Sequence, residues 1–84
     1  MRYHFTKHAK EKFARMRQSG FSVTQKKVKD TIAAPLKSEP RDDGTVIATS
    51  LLDEPHVLRV VYRVDRDIIV IITFYPGRRK AYAV

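Results

Sequence analysis

Cysteine and long apolar runs are both absent from this sequence. Without cysteine the chain can form neither a disulfide framework nor a thiolate metal site, which suits the cytoplasm. The longest apolar run, residues 68–72, is far shorter than the ~18 residues that a membrane-spanning helix needs. The first seven residues turn polar at once and lack the apolar stretch of a secretory signal. We therefore expect a soluble cytoplasmic protein that does not insert into a membrane.

Familiar phosphate, cofactor and metal motifs are absent as well. The sequence has no Walker A glycine loop, no dinucleotide-binding glycine pattern and no His-Glu-x-x-His helix. ATP, NAD and zinc are therefore not expected. His4 and His8 are four residues apart, but His4 is predicted to precede the first helix, so this spacing does not create a pair of helical metal ligands. We expect neither a cofactor nor a metal.

Positive charge is unevenly distributed along the 84 residues, which are expected to form one domain spanning 1–84. The formal net charge is +8. Residues 1–30 hold nine Lys or Arg against two acidic residues, residues 31–77 hold five against seven, and residues 78–84 hold three against none. Cations concentrated at both ends of a chain are typical of a protein that binds a polyanion, here RNA. The alternative is that lysines only solvate the outer faces of ordinary helices.

Two helices are predicted in the N-terminal part of the chain. Thr6 is a suitable N-cap, and apolar residues spaced four and three apart form one stripe along a helix over about 7–19. Gly20 ends that helix, since glycine takes the left-handed conformation at little steric cost. Ser22 and Gln25 form a capping box for a second helix, which closes before Pro35.

After Pro35 the apolar period changes from near four to two, which predicts a sheet. The predicted strands are 36–40, 45–52, 56–64 and 68–75, and Arg2 to Phe5 could be a short opening strand. The links are short enough to imply antiparallel neighbours. The predicted fold class is therefore α+β, with two N-terminal helices packed on one face of a four-stranded, or with the opening strand five-stranded, antiparallel sheet.

The predicted strand 56–64 has two unlike faces. One face presents Leu58, Val60, Tyr62 and Val64, whereas the other places Arg59 and Arg63 between valines. Helices over the first face would leave both arginines on the uncovered side of the sheet. Together with the cations that follow the last predicted strand, these arginines would bring five basic side chains onto one surface.

Residues 73–82 (TFYPGRRKAY) combine three cations with two tyrosines. Cations there can bind phosphates, and tyrosine rings can stack on unpaired bases. The alternative is that the tyrosines pack as amphipathic residues at a sheet edge. The candidate RNA-binding residues, from this segment, the basic strand face and the first helix, are Lys12, Arg15, Arg63, Thr73, Tyr75, Arg78 and Lys80.

His8, Lys12 and Arg15 are spaced four and three apart and so lie on one face of the first predicted helix. A histidine beside cations can titrate near neutral pH, which suits general acid or base catalysis. His8 is therefore a candidate for proton transfer. The alternative is an ordinary solvated helix face.

The chain resembles small bacterial toxins of toxin–antitoxin systems in two places. Residues 58–64 (LRVVYRV), the Ile/Val-rich strand after them and residues 77–82 (GRRKAY) resemble the C-terminal half of the RelE-type toxins. Residues 8–15 (HAKEKFAR), then 20–22 (GFS) and the second predicted helix, are similar to small domains grouped with the BrnT toxins. Together the two resemblances span nearly the whole chain.

The resemblance implies a RelE-like fold, an endoribonuclease activity without a metal, and inhibition by a small acidic antitoxin protein. It implies mRNA as the substrate, free or on the ribosome. By this resemblance Arg59 would match the arginine that grips a phosphate, Arg78 or Arg79 the arginine that stabilises the transition state, and Tyr82 the C-terminal tyrosine.

RNA can be cut without a metal when its 2′-hydroxyl attacks the neighbouring phosphorus, which requires a base, an acid and cations. Arg59 and Arg79 are the candidates for stabilising the transition state, and His8 or Tyr82 for transferring the proton. Two other functions remain open on the sequence. The same surface could bind RNA or a ribosomal site without cutting it, or it could bind an acidic protein and no RNA.

Overall fold

Two helices and five strands account for most of the described residues, 2–84, in this computed structural model. In chain order the elements are β1 (Arg2–Phe5), α1 (Lys7–Gln18), α2 (Gln25–Ala33), β2 (Lys37–Pro40), β3 (Val46–Leu51), β4 (His56–Asp65), β5 (Ile68–Arg78) and a 3₁₀ turn (Arg79–Ala81). The α+β prediction is confirmed. Neither helix is long and apolar enough to cross a membrane.

Helix α1 begins where the sequence predicts it. The Thr6 hydroxyl accepts a hydrogen bond from the N–H of Ala9 (3.1 Å) and also donates one to the carbonyl of Ile72 in β5 (2.9 Å), so this cap ties the helix to the sheet. After the helix, Gly20 adopts a φ of +92°, as a helix-terminating glycine should.

The predicted capping box of the second helix is wrong. Helix α2 is capped by Thr24, whose hydroxyl accepts from the N–H of Lys27 at 3.1 Å, while Ser22 is exposed in a non-helical segment. The reason is packing: Val23, which the box would have placed in the helix, is buried in the core from a non-helical segment. Helix α2 therefore begins later in the chain, after Thr24, the next residue whose hydroxyl can cap it.

The sheet has the strand order β1-β5-β4-β3-β2 and is mixed. Strands β2, β3, β4 and β5 pair antiparallel with one another, as predicted, because short turns join them. The antiparallel prediction is wrong for β1, which lies parallel to β5 from Arg2↔Ile68 to Phe5↔Ile71. Strand β1 leads directly into α1 and no turn links it to β5, so nothing local forces the two to run in opposite directions.

Strand β5 continues to Arg78, three residues beyond its predicted end at Tyr75. Pro76 is tolerated within it because β1 pairs with β5 only as far as Ile71. Beyond that point β5 has one partner strand, β4, and a proline can occupy a position whose N–H would face no strand. This extension carries β5 as far as the first residue of β4, where Arg78 pairs with His56, and the C-terminal turn begins there.

Both helices pack on the same face of the sheet. Helix α1 covers β5 and β1, whereas α2 lies over β3 and β4. The buried core between these layers consists of Phe5, Ala9, Met16, Val23, Val28, Ile32, Leu58, Val60, Ile69, Ile71 and Phe74. The predicted core face of β4 is thus confirmed at Leu58 and Val60. Val64 is 55% exposed, because it precedes the turn at the far end of the strand.

The turn between β2 and β3 is held by Asp43. Its carboxylate accepts hydrogen bonds from the hydroxyl (2.6 Å) and the backbone N–H (3.0 Å) of Thr45, and these bonds hold the pKa of Asp43 below its ordinary value. Gly44 supplies the positive φ of +85° that the turn needs. The turn returns β3 alongside β2, which is the last strand at this edge of the sheet.

Candidate functional site

The sheet face opposite the helices, here the helix-free face, carries Arg59. The registers place Lys37 of β2, Thr49 of β3, Arg59 of β4 and Tyr75 of β5 side by side in one row across the sheet. Ser50, next to Thr49 in β3, hydrogen-bonds to Thr31 of α2 and therefore belongs to the opposite face. The predicted position of Arg59 on the side away from the helices is confirmed.

Arg59 is buried on this face, and not exposed as the sequence suggested. Its residue exposure is 6%, and its guanidinium makes three contacts. The Nε atom donates to the hydroxyl of Tyr75 at 3.1 Å, Nη1 lies 3.3 Å from Oε1 of Glu39, and the guanidinium carbon lies 4.1 Å from the ring centre of Tyr82. We call these four residues the Arg59 cluster. Pairing and stacking offset the cost of burying the cation.

The chain segment 79–84 brings Tyr82 into the Arg59 cluster. After β5 the N–H of Arg79 donates to the carbonyl of Pro55 at 2.8 Å, and the 3₁₀ turn reverses the chain over the helix-free face. The carbonyl of Tyr82 then accepts from Nζ of Lys37 at 3.5 Å. Tyr82 therefore covers Arg59 because the turn is anchored to the β3–β4 loop at one end and to β2 at the other.

Gly77 provides the space that the Tyr82 ring occupies. A Cβ placed on Gly77 would lie 2.4 Å from Cε2 of Tyr82, closer than side-chain atoms approach. Gly77 lies within β5 and its φ is not positive, so it is required for the ring and not for the backbone. The glycine of the basic motif thus has a direct structural role beside Arg59.

Gly77→Ala is expected to displace the Tyr82 ring from Arg59 while the strand stays intact. The ring-current shift of the Arg59 Nε–H proton, measured by NMR, should then largely disappear. In a Tyr82→Ala background the same substitution should have almost no effect on the free energy of unfolding, because no ring remains to be displaced. Equal effects in both backgrounds would show that Gly77 does not act through Tyr82.

Arg63 lies on the helix-free face but at the other end of β4. Four residues along a strand separate it from Arg59 by about 13 Å. Its side chain is 49% exposed, and Nη1 lies 3.8 Å from Oδ2 of Asp65. Thr73, which pairs with Val61 of β4 between the two arginines, is half-buried.

The cations at the end of β5 and in the 3₁₀ turn form a third basic region. Arg78, Arg79 and Lys80 are exposed and line an open depression of about 800 Å³ together with Glu54 of the β3–β4 loop. The Nε atom of Arg79 donates to the carbonyl of Val84 at 2.7 Å. The five cations expected on one surface therefore divide into the buried Arg59, the distant Arg63 and this rim.

His8, Lys12 and Arg15 lie in the layer on the other side of the sheet. All three belong to α1, which packs on the core face through Ala9 and Met16. His8 and Arg15 are exposed and Lys12 is half-buried. The sheet separates them from Arg59, so the structure does not bring His8 together with the other candidate catalytic residues.

Two groups of residues on the helix-free face have no signal in the sequence that marks them. Glu39 and Lys37 lie two residues apart in β2 and so share one face; Glu39 contacts Arg59, and Lys37 contacts Tyr82. Only the strand order reveals that β2 lies two strands from β4. Oε1 of Glu39 is fully buried without a hydrogen bond in the described part of the chain. Arg2 and His4 reach the same face because β1 lies beside β5.

Neither a metal-binding cluster nor a known relative identifies this site. Within residues 2–84, no group of three or more His, Cys, Asp or Glu side chains is placed to hold a metal ion. Comparison with family models, curated proteins and solved structures finds no match. Function can therefore be inferred only from the side chains and their arrangement.

Proposed function

We propose that this protein is a toxin-type, metal-independent endoribonuclease whose catalytic centre is the Arg59 cluster. The observation that carries the proposal is a guanidinium held between a carboxylate and two tyrosine rings on the face that the helices leave uncovered. The residues involved are largely those through which the sequence resembles the RelE-type toxins. The resemblance and the geometry support the same cluster by separate arguments.

RNA is the substrate that the surroundings of the cluster favour. The net charge is +8, and three exposed cations at the end of β5 and in the 3₁₀ turn lie close to Tyr82 in the chain. Cations of this kind contact phosphates, and tyrosine rings stack on unpaired bases. The cluster itself supplies one cation, one carboxylate and two hydroxyls, a set suited to proton transfer around a phosphate.

The proposed reaction is attack of a 2′-oxygen on the adjacent phosphorus. The new P–O2′ bond forms as the P–O5′ bond breaks, leaving a 2′,3′-cyclic phosphate and a 5′-hydroxyl. Arg59 stabilises the negative charge on the phosphorane, Glu39 accepts the proton of the 2′-hydroxyl, and Tyr82 donates a proton to the departing O5′. His8 has no part in this step because the sheet separates it from Arg59.

Substrate can reach Arg59 only if the Tyr82 ring moves. With Arg59 at 6% exposure, a phosphate has no direct path to the guanidinium while the ring covers it. The segment 79–84 that carries the ring is short and largely exposed, so a small rearrangement is sufficient. A phosphate would then replace the ring as the partner of the guanidinium face.

Tyr82→Phe is expected to slow RNA cleavage by a factor of about 10² to 10⁴, the usual contribution of a positioned acid or base. The phenylalanine ring can still fill the space at Gly77 and cover Arg59, so stability should hardly change. The assay is cleavage of single-stranded RNA in the presence of a chelator, with identification of cyclic phosphate ends. Tyr3→Phe, on the helix side of β1, is the matched control and should cleave like the wild type.

Wild-type protein that leaves RNA intact would rule out the endoribonuclease proposal. The alternative is a module that binds RNA or a ribosomal site without cutting. One observation favours it: Arg59 is already engaged by Glu39 and Tyr75, as a structural ion pair would be. Salt-sensitive retention of uncut RNA would support that alternative. Binding to an acidic protein, such as the proposed antitoxin, without any RNA affinity would instead support an interaction domain.

A further inference from the structure

A second basic site lies on the helix-free face, at the opposite end of β4 from the Arg59 cluster. It is an open cleft of about 420 Å³, here called the far cleft, that spans strands β1, β5 and β4. Its polar lining comes chiefly from Arg2, His4, Arg63 and Asp65, and Val70 of β5 forms part of its floor. The far cleft shares no residue with the Arg59 cluster.

The strand registers explain how these residues meet. His4 of β1 pairs with Val70 of β5, and Val70 pairs with Arg63 of β4, so His4 and Arg63 lie on either side of Val70. Two residues before Val70 in β5, Ile68 lies in the same way between Arg2 of β1 and Asp65 of β4. The cations of the far cleft therefore come from two strands that are not neighbours, and they meet only because β1 adds to the edge of the sheet.

The charges in the far cleft favour an anion. Two arginines and a histidine line it together with a single carboxylate, Asp65. The contact of Arg63 with Asp65 is 3.8 Å long and both side chains are about half exposed, and a pair of this kind contributes only about 0–1 kcal/mol. Arg63 can therefore turn towards a phosphate at little cost.

We propose that the far cleft binds a backbone phosphate of a single-stranded RNA that lies across the helix-free face, with another of its phosphates at the Arg59 cluster. The two sites are about 13 Å apart along β4, the distance between Arg59 and Arg63. Val61 and Thr73 lie between them and form a floor of small side chains. This inference rests on the proposed RNA substrate and adds a second phosphate contact.

A single strand fits this surface better than a duplex. The tyrosines of the Arg59 cluster can stack only on bases that are not already stacked and paired in a helix. A flexible strand can also follow a twisted sheet from one cation group to the other. Duplex RNA would present phosphates to the cations but no base face to the tyrosine rings.

The test is an affinity measurement with RNA that cannot be cut. Single-stranded oligonucleotides carrying 2′-O-methyl groups are used at two lengths. One is about two nucleotides long, so that its internucleotide phosphate can occupy only one of the two sites, and the other is about twelve nucleotides long and can reach both. The double variant Arg2→Gln, Arg63→Gln should bind the longer one about tenfold or more weakly. The slope of its log affinity against log salt should decrease in magnitude by about 0.7, which is the contribution of one phosphate contact on a single strand.

The matched control changes two exposed cations on the helix side, Lys10→Gln and Arg17→Gln. This control loses the same formal charge, so any general electrostatic effect appears in both variants. Only the far-cleft variant should lose the advantage of the longer oligonucleotide over the shorter one. Far-UV circular dichroism and thermal unfolding should be unchanged in both variants, since all four residues are exposed.

Several results would overturn the inference. The first is an equal loss of RNA affinity in the two double variants. The second is a salt slope of the far-cleft variant that equals that of the wild type. The third is a wild-type affinity for duplex RNA that equals its affinity for a single strand of the same length. Wild-type protein that binds no RNA would overturn both the inference and the proposed function. Wild-type protein that shows the predicted far-cleft dependence but leaves unmodified RNA intact would contradict only the endoribonuclease proposal.

Discussion

Arg59→Lys is expected to lower the rate of RNA cleavage by a factor of about 10² to 10³, the loss typical of removing one transition-state donor. Lysine retains the charge but concentrates its donors on one nitrogen, so it cannot serve Tyr75 and Glu39 and also present a planar face to Tyr82. The measurement is the single-turnover rate on unmodified single-stranded RNA. Substrate affinity should change much less than this rate, since the exposed cations remain.

Arg17→Lys is the control for the Arg59 substitution. Arg17 is exposed on α1, so exchanging its guanidinium for an ammonium should leave the cleavage rate unchanged. The free energy of unfolding must be measured for both variants, because the buried guanidinium of Arg59 forms the 3.3 Å ion pair with Oε1 of Glu39 and the substitution changes that pair. A folded Arg59→Lys variant with the wild-type rate would show that the cluster is structural and not catalytic.

Phe74→Ala is expected to lower the free energy of unfolding by about 3–5 kcal/mol. Phe74 is fully buried, and its ring centre lies 4.7 Å from that of Phe13, through which α1 packs on the sheet. Phe13 in turn lies 5.7 Å from Phe5, so Phe74→Ala removes one end of a row of three aromatic rings joined by two contacts. Because domains of this size are stable by only about 5–15 kcal/mol, much of the variant population could unfold.

Val64→Ala provides the comparison for Phe74. Val64 is also a strand residue but is 55% exposed, so its truncation should change the free energy of unfolding by less than about 0.5 kcal/mol. Urea unfolding followed by far-UV circular dichroism measures both variants. A loss below 1 kcal/mol for Phe74→Ala would mean that α1 and β5 are held together mainly by other contacts.

The Arg59 cluster joins parts of the chain that are remote from one another in sequence. Glu39 comes from the edge strand, Arg59 and Tyr75 from adjacent central strands, and Tyr82 from the C-terminal turn. Ordering four such groups costs conformational entropy. That cost is smaller here because the core on the helix side already fixes β4 and β5. The rigid layer therefore holds the site, and the short segment 79–84 is the part that can move.

Much of the local structure could be predicted from residue order. Thr6 and Gly20 mark the ends of α1, and the change of period after Pro35 marks the strands, because caps, turns and apolar spacing act over a few residues. The Ser22 prediction failed because the burial of Val23, a tertiary contact, decided where α2 begins. The direction of β1 failed for the same kind of reason, since no local turn specifies its partner.

The candidate site was only partly visible in the sequence. Alternation along β4 correctly assigned Arg59 to the face away from the helices, but alternation cannot indicate whether a later segment will cover that face. Segment 79–84 does cover it, and Tyr82 lies over a side chain that was expected to be open to solvent. The sequence does not indicate in which layer His8 and Arg59 lie. In the structure the sheet separates the two residues.

The sequence by itself determined the α+β class, most element positions and the excess of cations at the chain ends, because these follow from short-range spacing and from composition. Only the tertiary structure decided which charges meet. Strand order placed Glu39 against Arg59 and His4 near Arg63, and the final turn placed Tyr82 over Gly77. Strand order depends on the packing of the whole chain, so no local pattern in the sequence encodes these contacts.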